Sequence, residues 1–236
     1  MNPLLRVGRV MLDLVLPPRC AGCGEIVAQV GDFCGSCFVA VDWAGDACRG
    51  CGLPLETLVD PRCARCLSTP GKLDGLVAAT HYDDISRAMV HKLKYGRRVA
   101  LARVMARAMA RKLEDLEADD ALLVPVPLHR GRIWKRGYNQ AGLLAADLAR
   151  RTGLDWSPDA LVRVKATKPL ASMTAAQRHS TVRGAFRAER LQVDGRTLVL
   201  VDDVRTTGST LEACAGALKK AGARRVEAVV WSRVVH

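Results

Sequence analysis

The spacing of hydrophobic positions changes near residue 72, and the longer second part of the chain alternates between two patterns. Apolar runs of strand length occupy residues 73–82, 121–127, 196–203 and 225–235. Segments with helical spacing occupy residues 83–96, 97–116, 141–153 and 209–222. Strands that alternate with helices predict an α/β fold, with a mostly parallel sheet flanked by helices on both faces.

Individual residues predict where the helices of this part begin and end. Asp83 or Asp84 is expected to cap the first helix, and Gly153 is expected to end the third. Residues 128–140 are expected to form a loop. Cys214 lies among the apolar positions of the last helix, where we expect a core residue.

Residues 1–70 are expected to form a small domain ahead of a larger one at residues 71–236. The first residues suit a short amphipathic helix, whose apolar pattern Arg6, Arg9 and Asp13 interrupt. A signal peptide is not expected, because no small-residue cleavage site follows. Since no apolar run reaches the roughly 20 residues of a membrane span, we expect a cytoplasmic protein without membrane insertion.

Eight of the nine cysteines form four Cys-x-x-Cys pairs. The pairs are Cys20/Cys23, Cys34/Cys37, Cys48/Cys51 and Cys63/Cys66. Each such turn points two thiolates at one ion, and a second turn about a dozen residues on completes a tetrahedral site. The sequence therefore predicts two structural Zn²⁺ sites without an open coordination position for catalysis.

The spacing allows two ways of sharing the four pairs between two zinc ions. Sequential pairing joins the first pair to the second and the third to the fourth. A cross-braced arrangement joins the first to the third and the second to the fourth. Disulfides are disfavoured in a reducing cytosol, and redox-active pairs are expected on a βαβ pattern that is missing here. The segment that holds the four cysteine pairs has few large apolar residues, so it could hardly build a hydrophobic core without bound metal.

The formal net charge of +12 is concentrated in the second part of the chain. Residues 1–70 carry six basic and seven acidic side chains. Residues 87–112 carry nine Lys or Arg and no acid, and residues 163–190 carry seven beside Glu189 alone. Such an excess favours phosphorylated metabolites or nucleic acid as partners, although it is also typical of a solvated basic face.

The sequence LVLVDDVRTTGST at residues 198–210 is the strongest candidate for a ligand site, because ligands bind at the carboxyl ends of parallel strands. Asp202 and Asp203 are expected to begin a loop that leads into the last helix. The loop continues with Thr206, Thr207, Gly208, Ser209 and Thr210. Hydroxyls and helix-start N–H groups suit a phosphate monoester, and Gly208 allows close approach. The carboxylates suit a sugar diol or Mg²⁺, so one ligand with a phosphate and a diol would use the whole stretch.

These residues closely resemble the phosphoribosyl pyrophosphate (PRPP) motif of type I phosphoribosyltransferases. The cysteine pairs, LKYGRR at residues 93–98, PVPLHRGRIWKRGYNQA at 125–141 and RHSTVRGAF at 178–186 extend the resemblance to the ComF/GntX family. The resemblance covers residues 12–235. Members of this family combine a double zinc ribbon with a phosphoribosyltransferase domain and are associated with competence for natural DNA uptake.

The resemblance implies a type I phosphoribosyltransferase fold and a set of ligand contacts. Asp202 and Asp203 would be the catalytic acids that contact the ribose hydroxyls, while residues 206–210 would hold the 5′-phosphate of PRPP. Mg²⁺ would accompany the pyrophosphate. Candidate contacts on the pyrophosphate side are Arg130, Lys135, Arg136 and Asn139. Residues 164–180 would form a mobile loop that closes over the sugar.

Four positions depart from the patterns of related enzymes. Leu170 and Thr181 replace a usual Gln and Asn of the family, which puts any acceptor contact at these positions in doubt. Arg205 occupies a position that is more often apolar or small. Thr206 stands where enzymes of the purine-base type have Asp, and this weakens the case for a purine acceptor.

Two function classes follow from these residues. A phosphoribosyltransferase would transfer phosphoribosyl from PRPP to an acceptor that the sequence does not identify. The alternative is a non-catalytic protein that keeps the PRPP fold as a ligand sensor and binds single-stranded DNA, or docks onto a competence helicase or recombination mediator. Aromatic residues make up 4% of the chain, and only Trp134 and Tyr138 lie near a basic cluster, which argues mildly against a stacking platform.

Overall fold

The computed structural model describes residues 17–29, 32–55, 61–116, 118, 120–166, 181–182 and 184–235. The expected N-terminal helix lies outside these residues, and so does most of the expected mobile loop, including Leu170. Within the described part of the chain, no helix is long and apolar enough to cross a membrane.

A four-stranded parallel sheet forms the centre of the larger part of the chain. Its strands are β1 (Gly75–His81), β2 (Leu122–Pro125), β5 (Thr197–Arg205) and β6 (Arg225–Arg233), in the spatial order β1-β6-β5-β2. β3 (Leu161–Arg163) and β4 (Phe186–Ala188) form a separate antiparallel pair that the sequence pattern did not predict.

Strand β5 is longer than the sequence predicts. The predicted strand segment ended at residue 203 and its two acids were expected to begin a loop, but the strand continues to Arg205, so the expected start of the loop was wrong. The reason is that pairing with β6 continues past the acids, as far as Arg205 opposite Arg233. Both carboxylates are therefore fixed by the sheet rather than by a loop.

Eight helices are described. They are α1 (Gly35–Ala40), α2 (Ala64–Ser68), α3 (Asp84–Tyr95), α4 (Leu101–Leu113), α5 (Arg130–Arg136), α6 (Gln140–Thr152), α7 (Arg190–Val193) and α8 (Ser209–Lys220). Asp83 caps α3 by accepting from the backbone N–H of Ser86, and Gly153 ends α6 in the left-handed conformation, as predicted.

Residues 128–140 are not wholly a loop, because they contain α5. His129 caps the start of this helix, where its Nδ1 accepts a hydrogen bond from the N–H of Gly131 at 3.2 Å. Gly137 ends the helix with a φ of 91°. Capping at both ends stabilises a short helix that its apolar pattern alone does not predict.

Helices cover both faces of the sheet, as the alternating pattern predicts. On one face α3, α4 and α6 contribute Met89, Met105 and Leu144 to a buried cluster. On the other face α8 packs with the β3–β4 pair, and its Cys214 is fully buried, which confirms its assignment to the core. The two faces leave the carboxyl ends of the strands open for a ligand.

The cysteine-rich segment packs against the edge of the sheet. The N–H of Ala44 donates to the carbonyl of Ala79, and the N–H of His81 donates to the carbonyl of Asp42. Trp43 also forms an antiparallel bridge with Thr80 of β1. These bonds occupy backbone groups that an edge strand would otherwise expose.

Candidate functional site

The turn at residues 206–210 joins β5 to α8 and encloses a cavity of about 30 Å³. We call these five residues the phosphate turn. Gly208 has a φ of 85°, a conformation that favours glycine, and no side chain caps the start of α8. The hydroxyl oxygens of Thr207 and Ser209 lie 3.0 Å apart. Hydroxyls beside the N-terminus of a helix form a site that suits a phosphate group.

Asp202 and Asp203 line a second, larger cavity of about 810 Å³. Asp203 is buried, and its Oδ1 lies 2.8 Å from Nζ of Lys94 on α3. Oδ2 of Asp203 has no hydrogen-bond partner among the described residues. Asp202 is half-buried, and its Oδ1 accepts from the backbone N–H of Asp203 at 2.9 Å. The two acids therefore have different immediate partners, since Asp203 pairs with Lys94 and Asp202 accepts from the backbone.

The electrostatic surroundings of Asp202 change its pKa. Burial raises the pKa of Asp202 to about 7, the charge of Asp203 adds to the rise, and Lys94 opposes it. For Lys94, burial lowers the pKa, but attraction to Asp203 and Asp202 leaves it above its usual value. Lys94 therefore carries its charge at neutral pH, while Asp202 titrates there.

This pKa predicts how stability depends on pH. The ordinary pKa is 3.8 and the folded-state pKa is about 7, so the folded protein binds the Asp202 proton more tightly. Stability contributed at this residue therefore decreases as pH rises from about 4 to about 7. We expect Asp202→Asn to be more stable than the wild type at pH above this range, with a smaller advantage at acidic pH. Thermal unfolding across the range measures this; a pH-independent difference would contradict it.

Five cationic side chains line the larger cavity. Arg87 pairs with Asp84 and Lys92 donates to the carbonyl of Gly22, and the other three are Lys94, Arg132 and Arg163. None of the four residues expected on the pyrophosphate side is among the described residues that line it. Arg130 and Lys135 are exposed on α5. The larger cavity thus has a cationic wall, but other residues form it.

Arg136 and Asn139 have local partners. Arg136 lies over the ring of Tyr95, 5.4 Å from its centroid, and donates to Oε1 of Gln140. Asn139 caps α6, since its Oδ1 accepts from the N–H of Ala141 at 3.1 Å and its Nδ2 donates to the carbonyl of Val126 at 3.1 Å. Direct ligand contacts by these two side chains would require them to exchange partners.

Sequence reasoning missed Lys94, Arg132 and Arg163 as site residues. Lys94 belongs to LKYGRR at residues 93–98, one of the segments that carry the family resemblance, and this could have identified it as a candidate site residue. Arg132 lies two residues from Arg130 in sequence. The helical geometry of α5 points the two side chains in different directions, and this is not visible in the sequence. Arg163 belongs to the basic run at residues 163–190, but its strand β3 was not predicted, so the sequence did not place it at this cavity.

The eight paired cysteines form two clusters. The sulfur atoms within each cluster lie within 4.8 Å of one another. The first cluster is Cys20, Cys23, Cys34 and Cys37, and the second cluster is Cys48, Cys51, Cys63 and Cys66. Sequential pairing is therefore confirmed, and the cross-braced alternative is wrong.

Both clusters fit a zinc ion. Sγ of Cys23 and Cys34 lie 3.6 Å apart in the first cluster, and Sγ of Cys51 and Cys63 lie 3.7 Å apart in the second. A tetrahedron with Zn–S bonds of about 2.3 Å has edges of about 3.8 Å. The two Cys₄ sites thus support Zn²⁺ as the bound metal.

Backbone hydrogen bonds prepare each cluster for metal. The N–H of Cys34 donates to Sγ of Cys20, and the N–H of Cys63 donates to Sγ of Cys48, both at 3.2 Å. Burial raises the pKa of Cys20 and Cys48, but backbone hydrogen bonds outweigh it, so their pKa values fall to about 6 and about 7. These bonds favour the thiolate form that binds zinc.

Arg233 connects the second cluster to the phosphate turn. Its Nε donates to the carbonyl of Cys51 at 2.9 Å, and its Nη1 donates to the carbonyl of Thr206 at 2.9 Å. Burial lowers the pKa of Arg233 to about 10, with Arg205 adding to the effect, so the guanidinium remains charged at neutral pH. One buried side chain therefore bridges a metal site and a candidate ligand site.

Known proteins share this combination of parts. The double zinc ribbon domain model matches residues 11–67, and the phosphoribosyl transferase domain model matches residues 133–233. DNA utilization protein YhgH of Salmonella typhimurium is 38% identical over 204 residues, which cover 84% of this chain and 88% of that protein. The chain belongs to the ComF/GntX family. Competence protein F of Haemophilus influenzae is another relative of this ComF/GntX protein, with 29% identity over 222 residues that cover 90% and 95% of the two chains.

Solved structures resemble this ComF/GntX protein more distantly. The glutamine PRPP amidotransferase of B. subtilis is 23% identical and covers 55% of this chain and 26% of its own, with a TM-score of 0.38. The adenine phosphoribosyltransferase of Saccharomyces cerevisiae is 16% identical and covers 59% and 72%, with a TM-score of 0.39. The predicted fold class, a double zinc ribbon ahead of a phosphoribosyltransferase domain with a parallel sheet, rests on the family match and is confirmed.

Proposed function

We propose that this ComF/GntX protein binds PRPP with Mg²⁺ and transfers its phosphoribosyl group to an acceptor, within DNA utilization in the cytoplasm. One observation carries the proposal. Thr206 and Thr210 line both the small cavity of the phosphate turn and the larger cavity that holds the acids. A phosphate held in the turn is therefore adjacent to carboxylates that suit a ribose diol.

The residues around the two cavities fall into three groups, which suit the 5′-phosphate, the ribose and the pyrophosphate of PRPP. The phosphate turn suits the 5′-phosphate, and Asp202 with Oδ2 of Asp203 suits the ribose hydroxyls, because that oxygen lacks a partner among the described residues. Lys94, Arg132 and Arg163 on the cavity wall suit the pyrophosphate. We propose these three as pyrophosphate contacts ahead of Arg130 and Lys135, which are exposed.

The proposed reaction is a displacement at C1 of the ribose. The bond from C1 to the pyrophosphate oxygen breaks, its electron pair leaves with pyrophosphate, and the acceptor forms the new bond to C1. Mg²⁺, when bound with PRPP, would neutralise charge on the departing group. The cationic wall would stabilise the same charge, and the acids would orient the ribose, with no covalent nucleophile on the protein. A screen of acceptors for pyrophosphate release identifies the second substrate.

Gly208→Ala tests the proposal, and Gly195→Ala is its matched control. Both glycines have positive φ, but a Cβ at residue 208 would lie 2.8 Å from Arg205, whereas a Cβ at residue 195 would meet nothing within 4 Å. Each alanine should cost about 1–2 kcal/mol of stability through its left-handed backbone. We expect only Gly208→Ala to weaken PRPP binding, by at least about tenfold in calorimetry. Equal PRPP affinity in the two variants would contradict a phosphate site at this turn.

Binding of single-stranded DNA is the second candidate function, and a basic face of α4 favours it. Arg103, Arg107 and Arg111 are exposed at four-residue intervals, so they follow one face of the helix at steps of about 6 Å. Such a row of cations suits a polyanionic backbone. A competence helicase or recombination mediator is the corresponding protein partner.

Aromatic side chains lie beside this basic face, although the sequence separates them from it. Phe33, Phe38 and Trp43 line a cavity of about 390 Å³ together with Arg107 and Arg111. Phe38 is 54% exposed, and stacking of bases on such rings is typical of single-strand binding. Titration with single-stranded DNA at two salt concentrations tests this function. An affinity for single-stranded DNA that falls steeply with salt, and that Asp202→Asn leaves unchanged, supports DNA binding. No detectable affinity at low salt contradicts it.

A further inference from the structure

A buried arginine forms part of the phosphate turn's cavity. Arg205 is 7% exposed, and it lines the cavity of about 30 Å³ next to the turn residues. Its Nε and Nη1 atoms are buried and have no hydrogen-bond partner among the described residues. Burying polar groups without partners is costly, so these two donors indicate that a ligand completes the site.

Gly208 allows this guanidinium to lie against the backbone of the turn. A Cβ at residue 208 would lie 2.8 Å from Nη2 of Arg205 and 3.0 Å from its Cζ. The same glycine is the N-cap of α8, and no side chain caps the start of this helix with a hydrogen bond. The guanidinium and the positive end of the helix dipole therefore converge on one small cavity.

Nearby anions do not use these two donors. The side chain of Glu212 accepts from the backbone N–H of Lys72 at 2.6 Å, and Arg205 makes no ion pair within the described ranges. Burial lowers the pKa of Arg205, while Glu212 and the thiolates of the second cluster oppose that change. The nearby anions thus oppose the effect of burial without satisfying the hydrogen bonds of Nε and Nη1.

We propose that Arg205 binds the ligand's phosphate directly, with Nε and Nη1 donating to two of its oxygens. Paired N–H groups of arginine match phosphate oxygens in this way. We make this inference on the basis of the proposed function, and it specifies the ligand class of the turn as a phosphate monoester in its dianionic form. Neither a phosphate diester nor an unphosphorylated ribose offers the same oxygens and charge.

Ribose 5-phosphate is the probe for this contact, alongside PRPP. We expect Arg205→Gln to bind both at least about tenfold more weakly in calorimetry, because a hydrogen bond to a charged group contributes about 1.5–3 kcal/mol. Arg196→Gln is the matched control, since Arg196 is exposed just before the opposite end of β5 and its loss changes the net charge equally. That variant should bind both ligands as the wild type does.

A ³¹P NMR titration of bound ribose 5-phosphate distinguishes contact from a structural role. The second pKa of a phosphate monoester is about 6, and a contacting guanidinium lowers it by favouring the dianion. We expect the bound ligand's pKa to be lowered in the wild type and in Arg205→Lys, which keeps the charge, and to return toward the free value in Arg205→Gln. Zinc content and thermal unfolding check that each variant is folded.

The outcomes separate this inference from the proposed function. If the wild type binds PRPP and Arg205→Gln binds it equally well with an unchanged phosphate pKa, the arginine contact is overturned and PRPP binding stands. If the wild type binds neither ligand, both fail. If Arg205→Gln does not fold, Arg205→Lys is the deciding variant. A phosphate bound to Arg205→Lys with the same pKa as the free ligand also overturns the contact.

Discussion

Lys94→Met is expected to lower the free energy of unfolding by about 3–5 kcal/mol, because it leaves the Asp203 carboxylate buried without a cation. The Asp203 side chain is 3% exposed, and Lys94 is the partner of its Oδ1 at 2.8 Å. The double variant Lys94→Met with Asp203→Asn removes the uncompensated charge and should recover much of the loss. Urea unfolding of the wild type, both single variants and the double variant measures the coupling.

Lys219→Met provides the matched control. Lys219 and Asp74 also lie 2.8 Å apart, but their side chains are 36% and 31% exposed. Water screens this pair, so its loss should cost at most about 1 kcal/mol. If Lys94→Met costs no more than Lys219→Met, the Lys94–Asp203 pair does not have the stabilising role that its burial implies.

Cys66→Ser is expected to remove one of two zinc ions per chain and to weaken PRPP binding by about 10- to 100-fold. The physical link is Arg233, which donates to Cys51 in the second cluster and to Thr206 in the phosphate turn. Loss of the cluster releases one end of this bridge, and a hydrogen bond to a charged group contributes about 1.5–3 kcal/mol. Metal analysis and PRPP calorimetry on the same preparation measure both effects.

Cys34→Ser removes the other zinc ion and serves as the control. The first cluster contacts α3, where Nζ of Lys92 donates to the carbonyl of Gly22 at 2.8 Å, and Arg233 does not bond to it. We expect this variant to keep PRPP affinity close to that of the wild type. Fewer than one zinc ion in the wild-type chain would refute the metal assignment. Undiminished PRPP affinity in Cys66→Ser would refute the link through Arg233.

The sequence predicted those parts of the fold that have strong periodicity and clear end signals. α8 and β6 lie within the predicted segments, and Asp83 and Gly153 mark helix ends as expected. The β3–β4 pair was missed because its strands have three residues each and lie far apart in the chain. Strands this short leave no recognisable alternation, and only tertiary contacts define them.

The candidate site was predictable where its residues are contiguous. The phosphate turn and the acids lie in one segment, and so do the members of each cysteine pair. Lys94 and Asp203 meet only through packing of α3 on the sheet, which the pattern of one segment does not encode. Asn139 is difficult to assign from the sequence for a different reason. An Asn before a helix suits a helix cap and an anion contact equally well, and here it forms the cap.

The choice between the two zinc pairings also depended on tertiary structure. The gaps between cysteine pairs are nearly equal, so spacing alone fits the sequential and the cross-braced arrangement. Their distances show the sequential one, and this places the second cluster beside the phosphate turn through Arg233. The zinc ribbon and the phosphoribosyltransferase domain are therefore joined at the candidate ligand site.

Calorimetric titration with Mg²⁺–PRPP is the most direct test of the central claim, which is that residues 202–210 bind PRPP. Asp202→Asn is the informative variant, because it removes a carboxylate from the ligand site while it is expected to stabilise the fold at neutral to basic pH. We predict saturable binding to the wild type and at least about tenfold weaker binding to Asp202→Asn at unchanged zinc content. The absence of saturable binding to the wild type, or equal affinity in the two proteins, would contradict the claim.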